Sequence, residues 1–252
     1  MDASDAEVLE QVEVRLVRAE EEAHWDELMI EHHYLKSARM VGEQLRYVAE
    51  YRGCWLALLG WSAASYHLKG RDGWIGWDDN QRRARLPLVA NNARFCRLGE
   101  PGQYPNLATR AMALNLARLS QDWRAKYGHP IVLVESFVDL EWFRGTAYKA
   151  SGWQMVGTTA GFKRVAQDFY EAHERPKQLF VKELVRHAAR GLRARQLPAR
   201  WGAQEQRVER RCLLEKEQLL SLWMVLHQQL PESREAQGLR HRQATVLAIT
   251  FA

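Results

Sequence analysis

The residues best suited to chemistry lie in one short run, Glu135-Ser136-Phe137-Val138-Asp139. In an extended strand Glu135, Phe137 and Asp139 share one face of an otherwise apolar segment. A carboxylate at the start of a buried run is costly unless paired, and Arg46 or Arg94 is the expected partner of Glu135. The sharper alternative is a general base, because burial raises a carboxyl pKa towards neutrality. Thr146 and Tyr148 follow closely in sequence, and Glu135, Asp139 and Tyr148 are the candidate catalytic residues. No Ser-His-Asp order, phosphate loop or nuclease spacing accompanies them.

A second set is polar without being acidic. Asn91 and Asn92 fall in a strand-like run, where amides are depleted and must be satisfied if buried. With Arg94 they form either a patch facing a ligand or base, or a bulge held by amide bonds. Arg71 and Asp72 are adjacent, so they are expected to point differently; with Trp74 they serve a structural knot as readily as a binding site. Arg71, Asn91, Asn92, Arg94 and Asn106 are the candidate ligand-binding residues. His24, Glu31, His32 and His33 invite a metal reading. However, His24 and His32 are two helical turns apart, too far for one ion, and a helix-end pair packed on Trp25 is expected instead. Neither a metal nor a cofactor is expected.

These residues need a frame, and the periodicities supply one. Val12–Val17 reads as a strand, and the acid-led AEEEAHWDELMIEHHYL as a helix with Trp25, Leu28 and Met29 inward. EQLRYVAEY and CWLALLGWSAA form a hairpin about Arg52-Gly53, and PLVANNARFCRL is a further strand. The segment RDGWIGWDDNQRRARL between them reads as loop and short helix. The clearest helix runs from Asn106, the expected N-cap, to Gly128, the residue just past its end. IVLVESFVD is then a buried strand, GTAYKASGW a short helix and QMVGTTAGFKR a last strand or hairpin. After Val165 HERPKQLFVKEL reads as linker and helix, and Cys212–Leu230 as an amphipathic helix. The expected division is 10–166, a mixed α/β domain; 167–211, a basic extension; and 212–252, a helical segment.

Charge separates the regions. Residues 1–166 carry 21 Lys and Arg against 21 Asp and Glu, whereas 175–211 carries 11 against 3. That density is the footprint of a polyanion, so DNA is the expected partner through Arg186, Arg190, Arg193, Arg195 and Arg200, without sequence specificity. The chain is 46% hydrophobic and 27% charged, which suits a buried core and excludes a disordered chain. No uncharged apolar run of about 18 residues exists, so no membrane partner is expected. The acidic start lacks the apolar region of a secretory signal. Cys54, Cys96 and Cys212 have no CxxC spacing, which argues against a disulfide framework and suits the cytoplasm.

A long capped helix between two central strands, with AYKASGWQMVGTT after them, resembles the N-acetyltransferase-like (GNAT) fold. The resemblance would give Tyr148 the general-acid position. It would also require a turn before the long helix whose N–H groups cradle a pyrophosphate. Here that turn, RLGEPGQYPNLA, carries Glu100, Pro101 and Pro105, so the acyl-CoA signature is absent.

The strings IEHHYLKSARMVGEQLRYVAEYRG, LLGWSAASYHLKGRDGWIGWDDNQRRARLPLVANNARF, YPNLATRAMALNLARLSQDWRAKYGHPIVLVESFVD and RGTAYKASGWQMVGTTAGFKR resemble the DruA family over about residues 25–200. That family occurs in the Druantia anti-phage system and beside or within transposable elements. The resemblance implies a defence or transposition role with partner proteins of such systems. Two departures stand out: CRLGEPGQ replaces an apolar stretch, and the usual E-T-F-V-D is E-S-F-V-D, which keeps a hydroxyl at Ser136. The last residues, LHQQLPESREAQGLRHRQATVLAITFA, are similar to the N-terminal segment of DDE-class insertion-sequence transposases through Pro231, Arg234, Gly238, Arg240 and His241. A complete transposase is not expected. Three functions remain open: a DNA-associated protein of the DruA type, an acyltransferase-like enzyme acting on a small molecule or nucleobase, and an assembly scaffold.

Overall fold

The structure is a computed structural model. It describes residues 4–100, 102–159 and 176–202, the backbone of 162–166 and 169–172, and single positions between 218 and 225. The chain divides into two units, Met1–Trp201 and Gly202–Ala252, and everything below concerns the first. The expected helix at 212–230 and the transposase-like segment fall largely or wholly outside the described residues.

In chain order the elements are α1 (Asp5–Gln11), β1 (Glu13–Leu16), α2 (Glu22–His32), β2 (Gln44–Tyr51), β3 (Cys54–Ala63), α3 (Lys69–Ile75), α4 (Asp79–Arg85), β4 (Val89–Arg97), α5 (Leu107–Tyr127), β5 (Leu133–Asp139), α6 (Thr146–Ala150), β6 (Gln154–Thr158), β7 (Phe162–Ala166), β8 (Phe169–Ala172), β9 (Lys177–Glu183) and α7 (Ala188–Leu192). Seven strands form one sheet in the order β1-β2-β3-β4-β5-β9-β6, and β7 pairs with β8 apart from it. Every neighbouring pair in the large sheet is antiparallel except β4 and β5, which are parallel and joined through α5. A parallel pair cannot be closed by a tight turn, and the 21-residue α5 supplies the crossover. The strand order, the parallel pair and the long helix between its strands make this the mixed sheet with flanking helices of an N-acetyltransferase-like fold.

Local chemistry explains the joints. At the β2–β3 hairpin Arg52 and Gly53 both take positive φ, 48° and 80°, the geometry a two-residue turn needs to match strand twist. Gly128 ends α5 in the left-handed conformation at φ 81°, as expected. Asn106 departs from expectation. It is itself left-handed, at φ 70°, and its side chain does not cap α5; a cap accepting a first-turn N–H requires an extended residue.

One face of the sheet packs on α1 and α5 around Tyr47, Trp61, Leu119, Trp123, Val134 and Phe180. The other carries two separate clusters. Trp25 and Met29 of α2 cover Val48, Leu58 and Cys96, while α3 and α7 cover Val89 and Leu133 with Ile75, Leu88, Ala188 and Leu192. Among the described residues six tryptophans are buried, including Trp77, Trp153 and Trp201.

The largest correction concerns the end of the domain. Residues 177–183, read as linker and helix, are a strand lying between β5 and β6. The expected boundary at 166 therefore falls inside the sheet, and the unit continues to Trp201. Leu179, Phe180 and Val181 are all buried because both faces of a central strand are covered, whereas the charged ends leave the sheet. Such a pattern has no period of two to read.

Candidate functional site

β4 and β5 pair only from Val89–Leu133 to Asn92–Ser136, although β4 runs on to Arg97 and β5 to Asp139. The parting has a cause on the other edge of β4. Opposite β3, Gly60 pairs with Arg94 and Trp61 with Asn92, so Ala93 is an extra residue, a bulge that bends β4 away. Between the diverging strands lies a cavity of about 500 Å³. Its walls are Phe95 and Cys96 of β4, Phe137 and Val138 of β5, Ala108 of α5, Gly145–Tyr148 at α6 and His33-Tyr34 after α2.

Three polar side chains close the fork. Tyr148 Oη donates to Asn92 Oδ1 at 2.7 Å. Ser136 Oγ lies 2.9 Å from Tyr148 Oη and 3.1 Å from the Asn92 carbonyl, so its one proton has two acceptors. Asn92 Nδ2 faces the carbonyls of Arg94 and Gly60 at 3.2 and 3.4 Å, which ties the trio to the bulge. Burial of its hydroxyl pushes Tyr148 up to about 12, so the phenol stays protonated at neutral pH. Cys96 rises to about 11 for the same reason and remains a thiol. His33, 5% exposed, is depressed to about 4 by burial and by Arg94 and Lys177. Its Nδ1 accepts from the Leu35 N–H at 3.2 Å, which leaves the proton of the neutral ring on Nε2.

Glu135 belongs elsewhere. It alternates with Ser136, so it faces the opposite side of the sheet from Tyr148 and does not line the cavity. Its partner is Arg71 of α3, at 2.7 Å, and not Arg46 or Arg94. The Ser65 N–H donates to its second oxygen at 2.8 Å. Burial pushes the Glu135 carboxyl up against the pull of Arg71. Arg71 and Asp72, expected to point apart, are joined by two hydrogen bonds of 2.9 and 2.8 Å. Trp77 Nε1 and the Leu68 N–H also bind Asp72. The knot is structural in geometry, with Trp77 in place of the expected Trp74.

The other candidates scatter. Arg46 holds Asp26 and stacks on Trp25. Arg94 is spent on the carbonyls of Ser37, Ala93 and Arg39, each at 2.7 Å, and so ties down the segment after α2. Asn91 Oδ1 is buried without a hydrogen-bond partner among the described residues. Asp139 is buried 3.9 Å from Lys177, and its carbonyl accepts from the N–H groups of Trp142 and Phe143. His24 packs on Trp55, not Trp25, and His32 lies 3.7 Å from Glu31. No group of three or more His, Cys, Asp or Glu side chains among the described residues could hold a metal.

The turn before α5 carries an internal side-chain hydrogen bond. The exposed Gln103 side chain folds back over it, its Oε1 accepting the Glu100 N–H at 3.2 Å. One backbone donor of the turn is taken by this bond.

Arg186, Arg190, Arg193, Arg195 and Arg200 are all exposed. They alternate with Ala188, Ala189, Leu192, Leu197 and Trp201, which are buried in one cluster with Ile75 of α3, Trp77, Leu88 and Leu133. Arg85 fastens the segment by donating to the carbonyls of Leu192 and Ala194. Glu183, the acid of this stretch among the described residues, is occupied in accepting the N–H groups of His187 and Ala189.

A family model described as Druantia protein DruA matches residues 2–197. The chain belongs to the DruA family. The DruA match therefore takes in β9 and α7 as well as the fork. No curated protein matches the chain. Among solved structures, AAC(6')-Ib in complex with acetyl-CoA is 15% identical with a TM-score of 0.46, covering 74% of this chain and 99% of its own. A putative acetyltransferase, yncA from Salmonella typhimurium, is 12% identical with a TM-score of 0.43, covering 71% and 96%. A Drosophila melanogaster polyamine N-acetyltransferase is 14% identical at 0.42, covering 68% and 99%. At such values the likeness is to the general fold, and nothing about the site rests on it. No helix among the described residues is long and apolar enough to cross a membrane.

Sequence reasoning found Asn92 and Tyr148 but missed Ser136, His33 and Tyr34 as cavity residues. Arg94, just past the bulge, ties the segment after α2 to β4 through the carbonyls of Ser37 and Arg39.

Proposed function

We propose that this chain is a cytoplasmic phage-defence protein of the Druantia type that holds DNA on the arginine face around α7, alongside other proteins of its system. The observation that carries the reading is the five exposed arginines, fixed in place by the buried apolar residues between them. A flexible cationic tail would lose conformational freedom on binding; this segment is already ordered by the core. Phosphates neutralised by such a face release counterions, and contacts of that kind carry little base information.

The test is anisotropy titration of the full chain with labelled duplexes of unrelated sequence. If about six phosphates are neutralised, affinity falls by roughly a thousandfold between 50 and 200 mM salt, with little dependence on sequence. Replacing Arg190, Arg195 and Arg200 by Gln should flatten that slope. Binding with an unchanged slope in that variant would sink the reading. Truncation at 166 is no test, because it removes β9 from the sheet.

The fork supports a second reading, a site for a small molecule or nucleobase at Tyr148. Isothermal titration with acetyl-CoA addresses its acyltransferase form. Glu100 and the prolines at 101 and 105 lead us to expect no saturable heat at micromolar concentrations, and a micromolar dissociation constant would favour the enzyme.

A further inference from the structure

The loop that follows β5 leaves its largest apolar side chains in water. Leu140 is 51% exposed, Trp142 60% and Phe143 48%. They are not loose: the Trp142 and Phe143 N–H groups both donate to the Asp139 carbonyl, at 3.2 and 2.9 Å, and the Glu141 N–H donates to Asp139 Oδ1 at 3.2 Å. Tyr34 extends the surface, with ring centroids 5.3 Å from Phe143 in an edge arrangement and 6.3 Å from Trp142. The cluster is thus pre-formed, with Trp142 and Phe143 exposed and Tyr34 half-buried beside them.

Cations border it. Lys177 Nζ lies 5.6 Å from the Tyr34 ring centroid and 3.3 Å from its hydroxyl, and Arg144 is exposed beside Phe143. The acids nearby are Asp139, buried against Lys177, and the exposed Glu141. Exposed aromatics next to Lys and Arg are what unpaired bases require, since every base offers a stacking face while duplex bases are already stacked. Contiguous exposed apolar surface of this kind marks a partner site.

We propose that Tyr34, Trp142 and Phe143 form a stacking platform for the unpaired bases of single-stranded DNA. The inference rests on DNA being the partner and adds which form of it is preferred. Lys177 opens β9 and Glu183 closes it, so a strand about 20 Å long leads from the cation beside the platform towards the arginine segment.

The full chain is titrated with a labelled oligothymidylate of about 20 nucleotides and with a duplex of the same length. Wild type should prefer the single strand. Trp142→Ala should weaken single-strand binding about tenfold and leave duplex binding unchanged, and Trp142→Phe should restore most of the loss. Circular dichroism melting of Trp142→Ala should match wild type, because the side chain supports no core. Equal affinity of wild type for both probes, or a Trp142→Ala variant that binds the single strand as wild type does, overturns the platform. The arginine face fails separately, when its Gln variant keeps the full salt slope on both probes.

Discussion

Glu135 and Ser136 are neighbours on β5 and bury their polar groups in opposite ways. Glu135 enters a charged knot in which Arg71 is fully buried and both carboxylates, Glu135 and Asp72, have several donors each. Ser136 enters a neutral trio with Asn92 and Tyr148 at the edge of a cavity. The difference teaches where to look for function. A sealed, satisfied charge cluster tolerates no ligand without breaking an ion pair, whereas neutral groups beside an open space can exchange a partner at modest cost.

The largest effect should come from breaking the charged side. Arg71→Met leaves Glu135 and Asp72 without their guanidinium, and a buried charge stripped of its partner costs about 3–5 kcal/mol. Urea denaturation should show a loss of that size. The double variant Arg71→Met/Glu135→Leu should recover part of it, because the stranded carboxylate is gone. A single variant within about 1 kcal/mol of wild type would erase the contrast between the two sides of β5.

Much of this was legible in the sequence, and the failures share a cause. Helix α5, the β2–β3 hairpin and the buried β5 declared themselves through capping, turn residues and an apolar run. β9 did not, because its three apolar residues between charged ends carry no period. Glu135 is readable as a paired buried carboxylate, but its partner comes from α3, in a segment that reads only as loop and short helix. Arg71 and Asp72 were read as diverging because adjacent residues usually do; an arginine is long enough to fold back. The fork depends on one extra residue in β4, and Asn91-Asn92 signalled something irregular there without saying which way the strand would bend.

A second, smaller effect belongs to the cavity wall and is read through pH. An unfolded histidine takes up a proton below about 6.5, while the folded His33 waits until about 4. Between those values the unfolded state binds more protons, so stability is full above pH 6.5 and is lost as the pH falls towards 4. The loss is on the order of 3 kcal/mol when complete. The stability of His33→Gln should fall less steeply than that of wild type over this window. Parallel curves would mean that His33 is as hydrated as in the unfolded chain and that the cavity wall is open.

The smallest effect tests the neutral side itself. Tyr148→Phe keeps the ring, which packs edge-on to Trp153 at 5.0 Å and beside Phe180 at 5.8 Å, and removes only the hydroxyl. Asn92 Oδ1 then loses its donor, while Ser136 retains the Asn92 carbonyl as acceptor. One buried acceptor left open costs about 1–3 kcal/mol, less if water from the cavity replaces the phenol. We expect the lower end, about 1 kcal/mol, because the cavity reaches Tyr148 and the knot around Arg71 has no such access. Crossing the two variants then separates the regions. Tyr148→Phe and Arg71→Met should add within about 0.5 kcal/mol if the two faces of β5 are independent. A coupling of 1 kcal/mol or more would show that the bulge at Ala93 transmits strain from the charge knot to the fork, and the two regions would have to be treated as one site.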